Sequence, residues 1–75
     1  MKALKNLADF LQINEKVEQH VKKIQSGKAK SHFVEYEIVK KVLEEVALMK
    51  IQRDDYPTER AVRFLANYIY LAQNL

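Results

Sequence analysis

The sequence predicts an all-α protein, a compact bundle of three or four helices, and three observations carry that expectation. Gly27 and Pro57 are the only glycine and the only proline in 75 residues, and these two residue types are the strongest breakers of regular structure. Around these two breakers, apolar residues recur at steps of three and four, the spacing of one face of a helix. Nothing in the chain reads as a hairpin turn between two alternating strands.

The first segment covers residues 2–26. Leu4, Leu7 and Leu11 form one apolar row, and Phe10, Ile13, Val17, His20/Val21 and Ile24 form a second, offset row. The offset leaves two readings. One is a single bent helix. The other is a pair of helices, at about 2–13 and 14–26, with Asn14 capping the second and Glu15 and Glu18 favouring its positive end. Ser26–Gly27 closes the segment, because glycine adopts the left-handed conformation that ends many helices.

Residues 28–31 read as a polar linker, with Ser31 as a candidate cap. The next helix is expected over 31–53, with Ile38, Val39, Val42, Leu43, Val46 and Met49 as its buried stripe. Glu37–Lys41 and Lys40–Glu44 are four-residue charge pairs suited to a solvated face. Leu48, Ile51, Phe33 and Tyr36 lie off the stripe. Asp54 to Thr58 forms the second turn, with Pro57 suited to the first helical position and Asp55 or Thr58 to the cap. The last helix is expected over 57–73. It is apolar around most of its circumference from Phe64 onward, the pattern of a helix buried on most sides. Short connections suit antiparallel neighbours, so the last two helices are expected to form a helical hairpin within a single domain spanning 1–75.

Size bears on association. A core this small is marginal alone, and small domains draw on disulfides, metals or oligomerisation. The chain has no cysteine, which removes disulfides and makes a structural zinc site improbable. Self-association as a homodimer is therefore expected. No signal-like segment and no membrane-length apolar run is present, and the expected location is the cytoplasm.

The net charge of +3 is uneven: residues 1–32 hold seven lysines against three acids, and residues 33–75 hold six basic residues against seven acids. Lys22, Lys23, Lys28, Lys30 and His32 are the densest basic cluster. They are candidates for contact with an anion or nucleic acid, although lysines also complement a helix C-terminus. Gly27-Lys28 is not a phosphate loop, because residue 22 is lysine where such a loop has its first glycine. His20 and His32 have no ligand spacing, and Glu44 and Glu45 point apart as helix neighbours. Asp54, Asp55 and Glu59 read as capping and solvated turn residues. No catalytic, cofactor or metal residue is assigned.

Two functional expectations follow. The first is a small non-enzymatic interaction or regulatory protein, of the regulator, antitoxin or immunity type, acting through an apolar helical surface that includes Leu48, Ile51, Tyr70 and Leu75. That analogy rests on size and class, which do not determine function. The alternative is a nucleic-acid-binding module built on the basic cluster.

Overall fold

The chain is described here by a computed structural model covering residues 2–73. Four helices follow in order: α1, Lys2–Leu11; α2, Asn14–Gln25; α3, Tyr36–Gln52; and α4, Glu59–Gln73. They enclose one core in which Leu4, Leu11, Ile13, Leu43 and Val39 are almost completely buried. α2 packs on α4, α1 on α3, and α3 on α4.

The first segment is two helices, and the break between them is a helix-closing motif. The Gln12 amide donates to the Asp9 carbonyl (3.1 Å) and the Ile13 amide to the Ala8 carbonyl (3.2 Å). These are the paired bonds of a Schellman motif, which needs a left-handed residue between them. Gln12 takes that role at φ 58°. Asn14 does not cap α2: it is the first helical residue, and its side-chain amide instead donates to Asp9 Oδ1 across the break. The same motif closes α2. Gly27 at φ 83° donates to the Ile24 carbonyl (3.1 Å), and Lys28 donates to the Lys23 carbonyl (2.8 Å).

α3 starts at Tyr36, five residues later than the sequence implies. Ser31 does not cap it. Residues 31–35 are non-helical, and Glu35, at φ −88° and ψ 148°, is the last extended residue before the helix. Two tertiary contacts outweigh the local helical pattern. Val34 packs against the core, and the His32 amide donates to Asn67 Oδ1 of α4 at 2.6 Å. α4 similarly starts at Glu59, so Pro57 precedes the helix, and the Thr58 carbonyl accepts the Val62 amide (2.9 Å).

The buried stripes also shift. In α3 the buried residues are Val39, Val42, Leu43, Val46 and Ala47, while Ile38 is 45% exposed. Phe10, expected on the first stripe, is 43% exposed and lies under the Lys50 ammonium (4.6 Å to the ring centroid). α4 is less enclosed than its composition suggests. Ala61, Val62, Leu65, Ala66 and Asn67 are buried, whereas Tyr68 to Leu71 are only half-buried. Three other helices supply too little surface to wrap its second half.

Contacts between helix ends fix the arrangement around the candidate sites. Tyr36, opening α3, packs on Tyr68 in the later turns of α4, with ring centroids 5.9 Å apart. Gln25, closing α2, donates to Gln73, closing α4. Lys50, in the last turn of α3, bonds the Phe10 carbonyl at the end of α1.

Candidate functional surfaces

Leu48 and Ile51 are 56% and 71% exposed. They are three positions apart on α3 and therefore share one side of the helix. Phe10 lies close to the same end, beneath Lys50, the neighbour of Ile51. Lys50 also approaches the Tyr56 ring at 5.7 Å, so its charge sits over aromatic faces at the edge of this region.

Tyr70 does not join that region. Tyr36 adjoins Tyr68, and Ile51 is about 22 Å further along α3 at roughly 1.5 Å per residue. Tyr70, half-buried near the end of α4, therefore belongs with the opposite end of α3. Leu75 lies outside the described residues. Among the described residues assigned to that surface, Leu48 and Ile51 are the pair that share a face.

Lys22, Lys23, Lys28, Lys30 and His32 are all exposed. Lys22 and Lys23 occupy the last turn of α2, where they complement the helix dipole. Lys28, Lys30 and His32 lie on the connection to α3. His32 is in a non-helical segment and not at a helix start.

That connection borders a second region. A cleft of about 530 Å³ lies between residues 32–35, Ile38 and the flank of α4, where Arg63, Phe64 and Asn67 line it. Phe33, at 80%, is the most exposed of the large apolar residues at its rim. Asn67 is 1% exposed and the sole buried polar residue among those described. Both of its polar atoms are bonded: Oδ1 accepts the His32 amide, and Nδ2 donates to the Arg63 carbonyl at 2.8 Å. A buried amide without partners would be costly; the first bond ties the connection to α4, and the second, four residues back within α4, holds the side chain in place. The sequence presents Asn67 only as an interruption in an apolar run. Its isolation there is the one sequence signal that could have exposed the latch.

Arg63 also lines a neighbouring cleft of about 290 Å³, together with Lys16, His20, Thr58 and Glu59. Burial lowers the His20 pKa below its ordinary 6.5, and the positive charges of Lys23 and Arg63 push it in the same direction. His20 and His32 thus line different clefts that share Arg63. Among the described residues, no group of His, Cys, Asp or Glu is arranged to hold a metal ion, and no helix is long and apolar enough to cross a membrane. An open apolar groove of about 550 Å³ runs between α1, α2 and α4 over Leu4, Ala8, Val17, Val21 and Leu65.

Compared with known protein families, with characterised proteins and with solved structures, the chain matches none.

Proposed function

We propose that this chain is a non-enzymatic interaction protein, of a regulatory kind, whose contact face is the outer side of the last turns of α3. Its first partner is a second copy of itself. One observation carries the reading: Leu48 and Ile51 stand together on a regular helix, each more than half exposed. Single exposed apolar residues are ordinary, but adjacent large ones on a rigid helix favour an interface. A domain of this size also gains stability by covering such residues with a partner copy. A two-fold contact would set the same pair against itself. The patch is small beside a standard stable interface, so the association is weak and concentration-dependent.

Light-scattering mass on a sizing column tests this across a dilution series. The expected result is a dimer that dissociates on dilution, and a Leu48→Asp/Ile51→Asp variant that stays monomeric with unchanged helicity. A parent that is monomeric at every concentration overturns the reading, as does a double variant that dimerises like the parent. The exposure of both positions keeps the test separate from unfolding, and Leu48→Ser/Ile51→Ser repeats it without adding charge.

A further inference from the structure

Three features of the cleft beside α4 bear on what it can bind. Its aromatic side chain is displayed from a fixed position. Phe33 is 80% exposed, yet its neighbours on both sides are held, His32 by Asn67 and Val34 by the core. Ordering a loop normally opposes binding, and here that ordering is already present in the fold.

The second feature is cationic surroundings. Arg63 lines the cleft with Phe33 and Phe64, and the Arg60 guanidinium lies 5.4 Å from the Phe64 ring centroid. Lys30 is three residues before Phe33, within about 11 Å of chain, and Lys28 precedes it on the same exposed connection. Lys23 lies one turn beyond His20 on α2, and His20 and Arg63 line the neighbouring cleft, so both positive charges stand on the flank where α2 meets α4. Glu35 is the one carboxylate lining the cleft.

The third feature bears on sequence reading. The linker cations are lysines, point charges without a fork, and Arg63 is the one lining residue with the fork that recognises a base edge. Cations along a non-helical connection with an open aromatic face suit phosphates and stacked bases, and bases are available for stacking only when unpaired.

We propose that the cleft between residues 31–35 and α4 binds single-stranded nucleic acid with little sequence preference. The Phe33 ring stacks a base, and Arg63, Lys30 and Lys28 hold phosphates. The site is separate from the Leu48–Ile51 face, so either assignment stands or falls without the other.

The probe is a fluorescein-labelled oligo(dT) of about 12 nucleotides, matched to the span a small single-strand binder covers. Anisotropy is read against protein concentration in roughly 50 and 200 mM salt. The parent is expected to bind at low salt and to weaken as salt rises. Phe33→Ala should weaken binding about tenfold, the scale of one lost base stack, with the salt slope unchanged. Lys28→Gln/Lys30→Gln should reduce the salt slope by about 1.4, for two phosphate contacts at roughly 0.7 each. The Leu48→Asp/Ile51→Asp variant should bind as the parent does.

Four results overturn the proposal: no binding at low salt, Phe33→Ala binding like the parent, duplex DNA binding as tightly as the single strand, or inorganic polyphosphate displacing the oligonucleotide from parent and Phe33→Ala alike. The last two would mark a general polyanion surface. Phe33 is exposed, so its loss leaves the core intact. Amide exchange of buried α4 residues checks that in the same samples.

Discussion

Leu48–Ile51 and Phe33 both expose large apolar side chains, but the protein holds them in different ways. Leu48 and Ile51 ride on the regular backbone of α3, and their exposure follows from helix geometry alone, since the buried side runs through Val42, Leu43, Val46 and Ala47. Phe33 sits on a non-helical connection that would gain helical hydrogen bonds by joining α3. It is kept out of the helix by the bond from the His32 amide to buried Asn67 and by the packing of Val34. One region is exposed because a helix has an outside, and the other because a polar latch keeps the chain out of the helix.

Breaking the latch should give the largest effect. Asn67→Ala removes both side-chain bonds and leaves a void in the core. The expected loss is about 1–3 kcal/mol in urea unfolding, the usual range for losing a buried hydrogen-bonding group. The decisive readout is local: amide exchange at His32 should accelerate far more than exchange in α3. Replacing Leu48 or Ile51 with Ala should change monomer stability by only about 0.5 kcal/mol. Equal losses at Asn67 and Leu48 would erase the distinction between the two regions.

The helix ends carry the same contrast at a smaller scale. α1 and α2 close with the same bonded motif, but its left-handed residue is Gln12 near the Phe10–Lys50 contact and Gly27 ahead of the lysine-bearing connection. A side chain in that conformation costs about 1–2 kcal/mol, while glycine costs about 0.5–1 kcal/mol in unfolded-chain entropy. Gln12→Gly should therefore stabilise by about 0.5–1 kcal/mol, and Gly27→Ala should destabilise by about 1 kcal/mol. A Cβ at Gly27 meets no atom within 4 Å, so the cost there is purely conformational. Thermal melts of the two variants should shift in opposite directions. Shifts in the same direction would mean that one end is held by something other than its closing motif.

What could be read from the sequence follows the same division. Periodicity reports the faces of regular helices, so Val17, Val21, Ile24, Val39, Val42, Leu43 and Val46 were identifiable as core, and Leu48 and Ile51 as lying off it. Gly27 marked the end of α2 because glycine is the residue that the left-handed turn favours. The turn at Gln12 was harder to read because no glycine marks it, and only the offset between two apolar rows hinted at the break. The start of α3 was misplaced because its determinants are tertiary. Nothing within residues 31–36 shows that an amide from α4 will accept the His32 N–H. The cleft was invisible for the same reason: Phe33, Arg63 and Asn67 are far apart in sequence and meet only through that contact. The lysines could be read as a cluster because they are close in sequence; Phe33 adjoins them there but was read only as lying off the α3 stripe, and Arg63, thirty residues away, could not be placed beside them.

The smallest expected effect concerns the flank where α2 meets α4. His20 is half-buried beside Arg63, with Lys16 and Glu59 lining the same cleft and Lys23 one turn further along α2. Burial, then Lys23 and Arg63, hold its pKa below 6.5 in the folded protein. Below pH 6.5 the unfolded chain therefore takes up a proton that the folded chain resists. Stability from this group is complete above pH 6.5 and falls as pH drops through the folded value, after which it levels off. His20→Gln should flatten that part of the curve between pH 7.5 and about 5 while leaving the acid limb of the carboxylates in place. Urea midpoints across that range provide the test. Because Arg63 is one source of the repulsion, Arg63→Gln should raise the His20 pKa and reduce the same slope, a change that proton NMR of the imidazole can follow directly. An unchanged His20 titration in Arg63→Gln would show that the two side chains do not share a field. The two charges would then face solvent separately on that flank.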